Sequence, residues 1–302
     1  MKLPFVFIFS RQAQFVGAVC AGAVMLIASN AQAQDLFVGE ASQDSAYNVY
    51  EFTPGGVPSG FGDVAIPSGF AFNSAGNLFV SGLLLGNIYE FTPGGVRSTF
   101  ASGLNNPIGL AFNSAGNLFE ADGGGNIYEF TPGGVQSTFA PGLSPEALAF
   151  NSSGDLFEAD DGGNIYEFTP GGVRSTFASG LNHPLGLAFN SSGDLFVSDY
   201  YSGNIYEFTP GGVQSTFASG LSGPNGLAFN SAGDLFVANF TGGSITEFTP
   251  GGVQSTFASG LASDGPTVLA FQGESLPVPE PSALGLLAVG MFGITLLRRH
   301  QR

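Results

Sequence analysis

Carboxylates dominate the chemistry open to this chain. It holds 23 Asp and Glu against seven Lys and Arg, one cysteine and two histidines. Glu120, Asp122, Glu146, Glu158, Asp160 and Asp161 fall close together in the sequence. Hard oxygen donors with no thiolate suit Ca²⁺ better than zinc. A cation site at Glu120, Glu146, Glu158 and Asp160, with Ca²⁺ as the cofactor and Asn225 as a further oxygen donor, is therefore one reading. The plainer reading is that Asp122, Asp160 and Asp199 cap tight loops by accepting from backbone N–H groups. His183, before Pro184, is the one histidine outside the C-terminal tail. It is an acid–base candidate by residue type, or a solvated loop histidine. Tyr200, Tyr201 and Phe240 could pack their own loops or form an exposed patch of the kind that binds sugars or protein surfaces. No G-x-S-x-G, P-loop or dinucleotide fingerprint occurs. A net charge of −16 argues against nucleic acid as a partner.

The elements that must carry these residues form one unit written six times. Thr-Pro-Gly-Gly-Val begins at Thr53, Thr92, Thr131, Thr169, Thr209 and Thr249, a period of about 40 residues. Each unit contains four short β-rich runs punctuated by Gly, Pro, Asn and Asp, and none is long enough for a helix. Each run places one phenylalanine at an equivalent position. In the first run, for example, these are Phe72, Phe112, Phe150, Phe189, Phe229 and Phe271. Together these positions take most of the 31 phenylalanines of a chain that has no tryptophan. Equivalent rings would fill the wedges between neighbouring sheets.

The first unit starts at Leu36 without its opening run, and the missing run appears after the sixth unit as Pro266-Thr-Val-Leu-Ala-Phe271. A ring tied shut by one C-terminal strand explains this exchange, and an open solenoid would not need it. The expected fold is all-β: a six-bladed β-propeller of four-stranded blades over residues 34–273. Strands alternate in direction, so the nearly invariant turns after the first and third strands share one face. The variable loops share the other. The residue after each blade-opening proline should ring the channel mouth there: Ser68, Ile108, Glu146, Leu185, Asn225 and Thr267. Glu120 and Glu158 replace a valine used in the other four units. The strand-three glutamates, Glu51 through Glu247, repeat with the scaffold and read as structural.

Both ends carry addresses. Lys2 and Arg11 precede an apolar run and Ala31-Gln32-Ala33, which predicts a signal peptide over 1–33. The run is too short for the roughly 20 apolar residues of a retained span. Cys20 lies inside it and would leave with it. Residues 274–302 hold Pro279-Glu280-Pro281, an apolar stretch over 282–297 and a basic tail over 298–302 with Arg298 and Arg299. As a helix the apolar stretch spans about 24 Å, slightly short of a ~30 Å hydrocarbon core. This end resembles the PEP-CTERM sorting signal of Gram-negative bacteria. The resemblance implies export, an exosortase-type processing enzyme as partner, and membrane association through the C-terminal segment before processing. A plain C-terminal anchor is the alternative, and either places the domain outside the cytoplasm, at the cell envelope or beyond it.

The unit Gly-Leu-Ala-Phe-Asn-x-x-Gly-Asp-Leu-Phe-Val-x-Asp followed by Asn-Ile-Tyr-Glu-Phe resembles the NHL-repeat propellers. That group is related to the SMP-30/gluconolactonase and streptogramin-lyase propellers. The resemblance implies fold over nearly the whole domain and leaves activity open, because these folds host hydrolases, lyases and binding modules. Pro224-Asn225-Gly226 matches a metal-ligand motif of the gluconolactonase family, while that family's Glu-Gly-Pro and Pro-Asp-Gly motifs are missing. Streptogramin lyases use a histidine on the variable face, which makes His183 the matching residue type. Near-identical blades leave few blade-specific residues for catalysis. The expectation is therefore a non-enzymatic binding or scaffold module for an extracellular protein or polysaccharide, with Tyr200, Tyr201, Phe240 and His183 as the ligand-binding set. A metal-dependent lactonase or lyase is the alternative.

Overall fold

The computed structural model describes residues 34–41, 48–261 and 265–273, and every regular element in them is a strand. The expected signal peptide and sorting segment lie outside the described residues. Twenty-four strands build six four-stranded antiparallel sheets. In blade 1 the C-terminal strand Pro266–Phe271 pairs with Leu36–Glu40, which continues to Val49–Phe52 and Pro58–Gly62. Blades 2 to 6 each use four consecutive strands. The closure expected from the displaced strand is thus present. The β-propeller has no blade left one strand short.

The turns explain why the chain repeats. After the first strand of blade 2, the Asn73 side chain accepts from the N–H groups of Ala75 and Asn77, and Gly76 takes φ +79°. In Thr-Pro-Gly-Gly-Val the threonine hydroxyl accepts from the valine N–H, and the second glycine again needs positive φ. Strand-three glutamates brace the first turn: Asn77 donates to Glu90 and Asn117 to Glu129, both at 2.7 Å. The structural reading of those glutamates follows directly for these two blades.

Packing between blades is one motif used six times. The strand-two phenylalanine of a blade meets its own strand-four ring and the strand-one ring of the next blade edge-on. Phe119 does this with Phe139 and Phe150, each at 5.0 Å. At the closing seam Phe236 meets Phe257 and Phe271 in the same way. Edge-to-face pairs add about 0.5–1.5 kcal/mol beyond burial, so the C-terminal strand supplies both hydrogen bonds and a ring to blade 1.

Each first strand carries an irregularity that serves the site. Its register shifts between the opening proline and the residues that follow. Pro145 pairs with Asp160 and Ala147 with Ala159, which leaves Glu146 as the unpaired residue. The same shift frees Ser68, Leu185 and Thr267. A bulge re-aims one side chain, and the residue after the opening proline is half-buried in every blade. Two residues beyond the proline the strands approach closely. A Cβ on Gly186 would lie 2.3 Å from the carbonyl oxygen of Asn225 in the next blade.

Candidate functional site

The variable face separates the candidate residues into scaffold, buried acids and one assembled cluster. The aspartates that end the second strands belong to the scaffold. Asp160 accepts from Ser144 N–H at 3.0 Å and Gly162 N–H at 2.9 Å. Asp122 does the same with Asn105 and Gly124, and Asp199 with Asn182 and Ser202. Each carboxylate ties its own blade's loop to the preceding interblade loop, with both oxygens engaged. On the ring, the Ser68 hydroxyl donates to Pro107 O and Thr267 to Pro67 O. The Asn225 carbonyl accepts from Ser198. Asn225 lies in blade 6, two blades from Glu146.

Glu120 and Glu158 are fully buried, and none of their four carboxylate oxygens has a hydrogen-bond partner. Alternation along the strand explains their surroundings. Leu118 packs into the layer against blade 2, and Glu120 shares its face; Leu156 and Glu158 face blade 3 in the same way. The equivalent Val197 and Val237 sit in the corresponding layers of blades 5 and 6. The two glutamates therefore occupy different interblade layers, one opposite Leu110 and Tyr128 and the other opposite Leu148 and Tyr166. Burial, with Asp122 adding repulsion, pushes the Glu120 carboxyl up to about 9. Burial, with Asp160 adding to it, pushes Glu158 up to about 8, although Arg174 pulls the other way. Both carboxyls are thus protonated at neutral pH.

The structure brings together Glu146, Asp161 and His183. Glu146 projects from its bulge. Asp161 begins the next loop, with its N–H on Ser144 O at 2.9 Å. His183 ends the interblade loop with φ +69°, and its Nε2 lies 3.1 Å from Asp161 Oδ1. Potential ligand atoms of the three lie within 4.8 Å of one another. Burial, then Asp161 and Asp160, raises the Glu146 carboxyl to about 7. Asp161 was legible only as the second half of an acidic pair; nothing in the sequence placed it beside His183.

The aromatic residues also converge. The His183 ring stacks on Tyr201 at 5.1 Å and meets Tyr200 edge-on at 5.9 Å. Tyr200 reaches Phe240 of blade 6 at 6.3 Å, and its hydroxyl lies 3.3 Å from Thr241 Oγ1. Tyr201 is 67% exposed, which makes it the most accessible aromatic of the group. A cavity of about 270 Å³ opens instead on the invariant side between blades 3 and 4. Its lining includes Asn113, Glu129, Thr169 and Pro170, residues that recur in blade after blade, so it carries little blade-specific chemistry.

Residues 277–300 match the PEP-CTERM protein-sorting motif. The motif marks an exported chain sorted to the cell envelope, and such motifs are recognised by exosortase. No curated protein sequence matches the chain. Solved structures resemble it in fold. Virginiamycin B lyase from Staphylococcus aureus is 15% identical with a TM-score of 0.62, over 78% of this chain and 92% of that one. A gluconolactonase from Xanthomonas campestris is 20% identical with a TM-score of 0.59, over 67% and 76%. A streptogramin B lyase is 16% identical with a TM-score of 0.58, over 78% and 76%. At such identities the likeness concerns the β-propeller fold alone.

Proposed function

We propose that this exported propeller is a non-enzymatic binding module of the cell envelope, and that its variable face takes an extracellular polysaccharide or protein. The observation that carries the reading is the aromatic run His183–Tyr201–Tyr200–Phe240 across blades 5 and 6. Rigid aromatic faces with a polar edge suit sugar rings and protein hot spots. Chain geometry supports it. The strand Leu36–Glu40 starts, and the strand Pro266–Phe271 ends, on the invariant face, where Gln34 donates to Gln272 O and accepts from Ser231 N–H. The sorting motif begins four residues after Gly273. A chain held by that segment at a membrane would turn its variable face outward.

The test is a screen of envelope polysaccharides, glycans and surface proteins against the mature protein, followed by Tyr201→Ala. Loss of roughly tenfold or more in affinity, the size expected of an aromatic hot spot, supports the reading. Absence of any binder, or binding that ignores Tyr201→Ala and Tyr200→Ala, refutes it. Lactone hydrolysis or lyase chemistry is the second reading, favoured by an imidazole beside two carboxylates on that face. Turnover of a lactone panel that is lost in His183→Ala would replace the first reading with the second.

A further inference from the structure

We propose that Glu146, Asp161 and His183 form a binding site for one divalent cation of the zinc type, clamped between blades 4 and 5 with coordination positions left open to an oxygen donor. The donor set is one imidazole nitrogen and two carboxylates. Imidazole disfavours Ca²⁺ and Mg²⁺ and suits borderline metals such as zinc. A tetrahedral zinc with bonds near 2.1 Å sets its ligand atoms about 3.4 Å apart. Here Nε2 and Asp161 Oδ1 are 3.1 Å apart, and the trio closes within 4.8 Å. Coordination would require the three side chains to turn towards a common point.

Three separate features hold the donors. A β-bulge presents Glu146. The Ser144 carbonyl fixes the backbone of Asp161. The His183 carbonyl accepts from Tyr200 N–H at 3.1 Å while the ring lies against Tyr201. The ion pair between His183 and Asp161 engages the ring through Nε2 alone. Among the described residues, His183 Nδ1 is buried with no hydrogen-bond partner. A divalent cation here would meet two carboxylates, whereas the single imidazole pairs with Asp161 alone.

This site stands on the metal alone and does not depend on the binding reading above. The experiment uses the mature protein, stripped with chelator and titrated with Zn²⁺, with Ca²⁺ and Mg²⁺ as comparisons at matched ionic strength. Between residues 34 and 273 His183 is the only histidine, so its imidazole resonances are assignable. The expected result is one Zn²⁺ per chain, displacement of the His183 signals, and a higher melting temperature. Ca²⁺ should do neither. His183→Gln and Asp161→Asn should each weaken zinc binding by roughly tenfold or more. Glu120→Gln, in another interblade layer, should leave it unchanged. Asp161 is exposed, so its variant tests the site without threatening the fold. Zinc binding that both site variants leave intact is adventitious capture by an acidic surface and overturns the proposal. So does a His183 signal that zinc does not move, or an equal response to Ca²⁺.

Discussion

Replacing Glu120 and Glu158 together by valine should stabilise the protein, and the gain should grow with pH. Both carboxyls are fully buried without partners, and four of the six blades place a buried valine at the same position. In the unfolded chain a glutamate loses its proton near 4.5; in the fold Glu120 keeps it to about 9 and Glu158 to about 8. Between those limits the native state binds more protons than the unfolded state, so stability falls as pH rises. The loss is about 1.4 kcal/mol per pH unit for each group. At pH 7 that is about 3 kcal/mol per glutamate, and separate interblade layers make the two nearly additive. At pH 5 less than about 1 kcal/mol per group remains from this source. At about 2–4 °C per kcal/mol for a domain of this size, each substitution should raise the melting temperature by roughly 6–12 °C at pH 7. The assay is a set of thermal melts from pH 5 to 8 on the wild type, both single variants and the pair. A difference that stays constant across that range, or a wild type that melts at or above the double variant at pH 7, would show that these carboxyls are not buried as described.

Three further outcomes follow from the packing. Deleting residues 265–302 removes the strand and the Phe271 ring that close blade 1, so the chain should aggregate or lose most of its thermal stability. Removing only 276–302 should leave the melt nearly unchanged, and equal melts for the two truncations would contradict the closed ring. Gly186→Ala would set a Cβ 2.3 Å from the Asn225 carbonyl; denaturant melts should show a loss of about 1–3 kcal/mol, the range for overpacking. Asp199→Ala leaves the Asn182 and Ser202 N–H groups without their acceptor, which should cost about 1–3 kcal/mol and speed hydrogen exchange at those two amides.

The repeat and its displaced strand made the β-propeller legible from residues alone. Each unit is locally complete: its turns are specified by Asn and Gly within a few residues, and its phenylalanines recur at positions that face a neighbour whatever the blade. Closure was legible for the same reason, because Pro266–Phe271 could pair only with the unit that lacks an opening strand. The scaffold role of Asp160 was also readable, since an aspartate capping a loop bonds to backbone near it in sequence. The acidic sector behaved differently. Glu120 and Glu158 look like a pair in sequence, yet strand alternation points them into two separate interblade layers. Glu146 and His183 lie far apart along the chain and looked unrelated. A β-bulge, one aspartate and the loop before Pro184 set them side by side. Local hydrogen bonds and side-chain periodicity are written in short stretches of sequence. The meeting of two loops from adjacent blades depends on where whole sheets pack around an axis, and only the tertiary structure decides that.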